Sequence, residues 1–560
     1  MLVSLISFDL FAQEKKAAPP PTAFKIETDS LKALPENKKP KSGQQSGKKE
    51  NLKLPDVLIY GKDTAKHVGG TKKSIENDNT ELVTPDTNYE PMSLSNVEQG
   101  KRQTLEKESS GKYQQADARI YGGQFTQWGG SANFWTANPV FDIGFDGEFK
   151  HSDGEFRNQE SDRIDAEMNF GMMGNNNSGW RFKVRHSSND FKLYGAVVDS
   201  AERKITMNQL DFLSKGKLSF GLVGKARLNY ALVAIYNKNL QNNDDKRKVL
   251  SFDSEFTKKI TDFELSLQPS AYFVRSDADS INNAYFDWYS LKAKTKIPVS
   301  PKLITDFSLG VQAVDFGDER NNQFSADIGA IYIPASVASI RMRFFSGYRF
   351  LPWHKLIEQN GFIANDQYSH VEKINWGTNL TFDWRLNRKM TLLTAYSLQS
   401  IDGFLYFERN GEGLFNTQTI DLHLRQFDVG LKIQLNTAIE LEGHVKLEDY
   451  KLRNLRDNGQ LYYDLPYFAE FQAPFNITYK PIPKLELNGE VHFIGERAYL
   501  LTSTDKLPVY SALSASILFH INDHFNLFLN GNNLTDSHHQ IWQGYKSVGA
   551  NILGGFGATW

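Results

Sequence analysis

His538 and His539 are adjacent, and imidazoles are the first groups in this sequence that could ligate a metal. A zinc site needs side chains that converge from one helix face or from facing strands. Sequence neighbours point apart on either element, so the pair predicts no metal centre. Glu440, Glu442, Lys446 and Glu448 could pass for an acid–base array. Their period of two instead places them on one face of a strand, where solvated charges neutralise one another. The chain has no cysteine, which removes disulfides, thiolate metal sites, cysteine nucleophiles and a lipidated N-terminal cysteine. It carries no phosphate-cradling glycine loop, no nucleophile elbow and no His-Glu-x-x-His site. The expectation is a protein without catalytic residues, metal or cofactor. A richer group is Phe350, Trp353, His354, Phe362 and Tyr368, gathered in the stretch Arg349–Ser369. Aromatics at such a site offer stacking and apolar contact to a solute. The same residues could form an interfacial girdle, and the sequence leaves both readings open.

The segments around that stretch alternate apolar and polar residues with period two. Phe427, Val429, Leu431 and Ile433 take one face, and Gln426, Asp428, Lys432 and Gln434 the other. Leu485, Leu487, Val491 and Phe493 are opposed by Lys484, Glu486, Asn488, Glu490 and His492. Successive strand side chains point to opposite faces, so each strand has one apolar and one charged face. Short turns recur at Ala137–Pro139, Asn175–Ser178, Ser214–Lys217, Lys259–Asp262, Pro298–Lys302, Pro334–Ala338, Asn387–Lys389, Asn436–Ala438, Pro481–Lys484 and Asn522–His524. Longer connections lie between them: Arg349–Ser369, Ser400–Phe415, Lys451–Leu461 and Thr535–Ser547. A soluble sandwich has no reason to segregate loop lengths in this way. An outer-membrane barrel does, with tight periplasmic turns and longer external loops. About ten turns with both termini on one side give about eleven hairpins, hence about 22 strands, any even number from 18 to 22 fitting the signals. The fold class predicted is all-β, a transmembrane antiparallel up-and-down β-barrel.

Composition agrees. A net charge of −2 argues against a nucleic-acid partner. Aromatic residues reach 13% while mean hydropathy stays at −0.48, as expected when only alternate residues meet lipid. Residues 1–13 read as the apolar end of a secretory signal, with cleavage after Ala12 and a true start upstream, the alternative being an ordinary apolar tail. Residues 14–115 are rich in Lys, Pro, Gly and Ser and read as a disordered periplasmic tail. One apolar island, Leu54-Pro55-Asp56-Val57-Leu58-Ile59-Tyr60-Gly61, interrupts it. The barrel is assigned to residues 116–560.

Motifs within the barrel carry a family resemblance. Ile552, Gly554, Phe556, Ala558 and Trp560 share one face of a last strand that ends on an aromatic, and this resembles the C-terminal signature by which barrel assembly machinery recognises its clients. Phe525–Asp536 and Ile541-Trp542-Gln543-Gly544-Tyr545 are similar to the penultimate-strand and preceding-loop motifs of TonB-dependent receptors. Tyr121–Phe125 and Ser152–Gly154 resemble that family's first strand and first hairpin. Leu54–Ile59 looks like the start of the family's plug, near its TonB-contact segment. The resemblance implies an outer-membrane receptor for a small solute. Its implied partners are outer-membrane lipid and lipopolysaccharide, the assembly machinery, and TonB or another periplasmic protein.

One departure matters. Only about 55 residues separate Gly61 from the first strand, too few and too polar for a globular plug. The sequence therefore favours an open or partner-sealed barrel over one plugged by its own tail. Two roles follow: solute uptake or passage, or a binding and structural barrel that anchors its tail or a partner. An empty lumen would favour the first, and a lumen filled by loops or tail the second.

Overall fold

The computed structural model describes residues 113–560, except 139, 175–177, 199, 241–243, 261–262, 277–284, 317–318, 365–368, 454–455 and 458–459. The signal, the tail up to residue 112 and the Leu54–Ile59 segment lie outside the described residues. So does Tyr368.

Twenty-two strands form one antiparallel sheet in which each barrel strand pairs with the next. The sheet closes where the first strand, Tyr113–Gly123, pairs with the last, Asn551–Thr559, from Asp117↔Thr559 to Gly123↔Leu553. The Trp560 amide then donates to the Ala116 carbonyl at 2.8 Å, and the Ala116 amide returns the bond at 3.0 Å. Closure leaves no unpaired edge, the condition for a sheet to sit in hydrocarbon. Among the described residues no helix is long and apolar enough to cross a membrane.

Alternation sorts the two faces. On Leu222–Lys238, Leu228 and Tyr230 are exposed outward, whereas Val233 and Ile235 are buried inward. Neighbouring strands continue the outer apolar band with Phe212, Leu250 and Leu267. Such a band would be a liability in water. The inner wall is polar and paired across strands: Arg227 forks onto Asp211 at 2.9 and 2.8 Å, Lys183 meets Glu167 at 2.6 Å, and Lys432 meets Glu440 at 2.5 Å.

Four short turns share one device. Asn138, Asn387, Asn436 and Asn522 each turn their side-chain carbonyl back to accept an amide two residues on, at 2.7–2.8 Å. This is the local bond that makes Asn a turn residue. Two sequence readings need correction. The turn read at Ser214–Lys217 lies at Leu218–Gly221, because Ser214–Lys217 still pairs with Ala226–Val223 and Gly221 supplies the left-handed position at φ 72°. Ser400–Phe415 is mostly strand: Asp402-Gly403 forms a bulge between Ile401 and Phe404, with Gly403 at φ 67°, and strand pairing continues to Arg409↔Phe415. A bulge absorbs extra residues without ending the strand.

Candidate functional site: the in-folded mouth

Pro352 fixes φ at −63° just before the helix Trp353–Gln359, the position where a missing N–H costs nothing. Trp353, Leu356 and Ile357 fall at i, i+3 and i+4 and are all buried. Lys355 and Glu358 pair at 2.8 Å on the opposite face. A seven-residue helix cannot stand alone in water, so its apolar face must be held by other elements.

Those elements come from both sides of the barrel. Met207, Val233 and Ile235 are supplied by the sixth and seventh strands, Glu202–Lys217 and Leu222–Lys238. Leu405, Phe407 and Phe415 are supplied by the fifteenth and sixteenth, Met390–Arg409 and Phe415–Gln434. In a ring of 22 strands these pairs face each other across the lumen. The helix therefore bridges the long-loop end, joined there by Tyr545 from the final connection. Trp353, Leu356, Ile363 and Phe415 each retain 0% exposure, so this is a packed core.

Two buried arginines anchor the bridge, and a third, Arg349, ties together the wall beside it. Arg203 donates to the Gly361 and Ile363 carbonyls at 3.1 and 2.5 Å, and to Asn237 at 2.9 Å. Arg247 bonds Asp245 at 2.6 Å and lies 3.8 Å from the centre of the Trp353 ring, a desolvated cation–π contact. Arg349 bonds Glu372, which also accepts the Leu405 amide at 3.1 Å. Removing one partner of such a buried pair strands the other charge, at a cost of about 3–5 kcal/mol.

The final connection supplies the rest. Gly544 adopts φ 88°, and its amide donates to Gln540 at 2.7 Å. That turn delivers the Tyr545 ring onto Phe362 at 3.7 Å between centroids, and Tyr545 Oη donates to the Gly413 carbonyl at 3.1 Å. Trp542 packs against Phe407, Phe415 and Tyr467. A second core, containing Leu422, Leu424, Leu465, Phe468 and Leu501, draws two further connections inward.

The sequence-selected aromatics divide accordingly. Trp353 and Phe362 meet in the bridging core. His354 sits on the same helix, and burial holds its pKa below that of free imidazole. Phe350 belongs to a neighbouring wall patch, stacked on Phe286 and Trp288 at 5.3 and 5.5 Å with Tyr272 edge-on at 4.4 Å. Arg203 and Arg247 were not singled out by sequence reasoning, and Tyr545 only as the end of the Ile541–Tyr545 motif. The helical spacing of Trp353, Leu356 and Ile357 after a proline was the available signal. Filling of the lumen by loops was one of the two outcomes the sequence left open, without naming the residues that do it.

His538 and His539 turn to different partners: His538 to Glu155 at 3.0 Å, and His539 onto the Tyr510 ring at 3.8 Å. Among the described residues no three His, Cys, Asp or Glu side chains group as a metal site. In the last strand, Ile552 and Phe556 face outward, with Phe556 stacked on Phe525 at 5.5 Å, and Trp560 is exposed.

No protein-family description and no curated protein matches the chain. Solved structures do. The chain is similar to a copper transporter, OprC, with 12% identity over 81% of each chain and a TM-score of 0.63. It is similar to the siderophore receptor PiuA from Acinetobacter baumannii, with 11% identity over 80% of this chain and 82% of that one, at 0.64. The FrpB iron transporter from Neisseria meningitidis gives 11% identity over 80% and 81%, at 0.63. At these identities the likeness is one of fold. The 22-strand barrel is the fold that the resemblance to TonB-dependent receptors implied.

Proposed function

We propose that this chain is an outer-membrane, receptor-type barrel that admits a small solute, with the Pro352–Gln367 connection as both its first contact and its gate. The observation that carries the reading is the position of Trp353. It sits between opposite walls at the long-loop end, above a polar, ion-paired wall suited to an aqueous path. The solute-contact residues are Phe350, Trp353, His354, Phe362 and Tyr368, reached as the helix swings away. Short turns and both termini of the barrel face the periplasm in this reading, so the N-terminal segment would offer Leu54–Ile59 to TonB or another periplasmic protein. Ile552, Phe556 and Trp560 present the outward aromatic face to the assembly machinery.

The packing itself favours a second reading. A core with Trp353 and Phe415 at 0% exposure suits a permanent seal, and hence a barrel that anchors its N-terminal segment or a partner without transport. Solute uptake by cells carrying the chain with Pro352–Gln367 deleted separates the two. Loss of specific capture with the barrel still assembled supports the receptor; unchanged uptake supports the anchor.

A further inference from the structure

We propose that one side of the lumen, the inward faces of five adjacent strands, binds a small organic anion with two acidic groups. The inference gives a charge to the solute of the receptor reading, and rests on that reading for the solute's passage. The strands are Glu202–Lys217, Leu222–Lys238, Asp245–Ile260, Phe263–Ser276 and Tyr285–Ser300, the sixth to tenth of the ring. On the tenth, Phe286 and Ser290 are buried while Leu291 and Ile297 are exposed, so even-numbered residues face inward. Its inward row runs Phe286, Trp288, Ser290, Lys292, Lys294, Lys296 from the mouth toward the short turn, without a carboxylate. Below the bridge the other four strands add Lys215, Lys217, Lys225, Arg227 and Lys259, and the inward acids are Asp211, Asp253, Glu255 and Glu264. Cations therefore outnumber acids two to one on this wall.

The acids are placed unevenly among them. Arg227 takes Asp211 at 2.9 and 2.8 Å and lies opposite Asp253. Glu264 lies opposite both Lys259 and Lys296. Glu255 lies opposite Lys225 and accepts from Gln268 at 2.8 Å. The remaining lysines have uncharged or cationic neighbours. Lys292 lies between Gln268 and Gly310, and Lys294 between Ser266 and Ser308. A Cβ on Gly310 would stand 2.7 Å from Lys292 Cγ, so the bare glycine lets the lysine stem lie against the wall. Lys215 lies directly opposite Lys225, a like-charge pair that is destabilising unless an anion sits between the two. Lys292 and Lys294 are about 7 Å apart along one strand, and Lys215 and Lys225 about 5 Å apart across two. Such spacings suit a solute with two acidic groups.

The walls on either side are balanced. On the fifth strand Arg181, Lys183 and Arg185 pair with Asp142, Glu167 and Asp165. From the eleventh to the fifteenth, Arg341, Arg343 and Arg385 stand against Asp306, Asp327 and Asp383, and Arg343 Nε donates to Asp327 at 2.6 Å. In a ring of 22 the sixth to tenth strands face the seventeenth to twenty-first. There the sign reverses: Glu440, Glu442, Glu448, Glu486 and Glu490 outnumber Lys446 and Lys480. Twenty-two strands spaced at 4.8 Å give a lumen roughly 35 Å across. That is several Debye lengths at physiological salt, about 8 Å each. The facing acids therefore do not cancel the cationic wall, and an anion has one side of the lumen to follow.

The test is acetylation of the purified full chain in detergent micelles, read lysine by lysine by mass spectrometry. Millimolar succinate is expected to slow acetylation of Lys292 and Lys294 at least five-fold relative to acetate at equal ionic strength. Lys302 and Lys484, exposed in separate short turns, should change less than two-fold. In K292Q the protection of Lys294 should be lost, because one acidic group of the anion then has no partner. Heat-modifiability establishes that the variant is an assembled barrel. Equal protection by acetate overturns two-point binding in favour of general screening. Absence of protection, or protection of Lys294 that persists in K292Q, overturns the site. The receptor reading fails separately: protection of both lysines with succinate uptake unchanged on deleting Pro352–Gln367 would uphold the site and contradict the receptor.

Discussion

The guanidinium of Arg247 lies 3.8 Å from the centre of the Trp353 ring and is itself held by Asp245 at 2.6 Å. A strand of the wall thereby grips the helix that bridges the mouth. Replacing Trp353 by Ala removes a fully buried aromatic, a loss of about 3–5 kcal/mol of docking. R247A should act similarly by leaving Asp245 unpaired. In both variants trypsin should cut at Lys355, on the exposed face of the helix, at least ten times faster than in the wild type. Unchanged cleavage in an assembled barrel would mean that this contact does not hold the helix.

Topology gives a second prediction. A tag at Gly411, exposed in a connection at the long-loop end, should be labelled on intact cells, and a tag at Asn436, in a short turn, should not. Asn360 also belongs to a long connection but is 1% exposed at the end of the helix. A tag there should be poorly labelled while the bridge stays docked, and labelled only where it disrupts the bridge. Surface labelling at Asn436 would invert the orientation.

Acid should loosen the final connection. Burial pushes the pKa of His539 down to about 4. Its neutral form is therefore favoured when docked, and the stability it contributes is present above the free imidazole pKa of about 6.5 and is lost as pH falls from there toward about 4. Hydrogen exchange in residues 534–550 should accelerate across that window. H539F, which keeps a ring on Tyr510, should flatten the dependence. The same acceleration in H539F would assign it to another group.

Assembly is the fourth test. F556S together with W560S removes both outward aromatics of the last strand, including the Phe525 stack. The amount of heat-modifiable barrel in the membrane fraction should fall several-fold. Wild-type amounts would show that these side chains are no targeting signature.

The strands were legible because period-two alternation needs only neighbouring residues. The turns were legible because Asn138, Asn387, Asn436 and Asn522 bond within their own turn. Ser214–Lys217 misled because a Ser-Lys-Gly-Lys run has turn composition, while the left-handed position is filled five residues past Gly216 by Gly221. The mouth was not legible for a different reason. Phe362 and Tyr545 are 183 positions apart yet stack at 3.7 Å, and nothing local to either specifies the other. An aromatic in a long loop looks the same in sequence whether it rims a pore or fills it. Even Trp353, Leu356 and Ile357 disclose a buried helical face without naming the walls that bury it.

Conductance in planar bilayers tests the central claim most directly. The first strand already includes Gln114 and Gln115, paired with Thr136 and Trp135, so the N-terminal segment should be removed only through residue 112. In that background, the barrel with its connections intact should be closed or only briefly open. Replacing Pro352–Gln367 with a short Gly/Ser linker should produce a steady conductance at least ten-fold larger. Equal conductance in the two forms, with both confirmed as assembled barrels, would contradict the account.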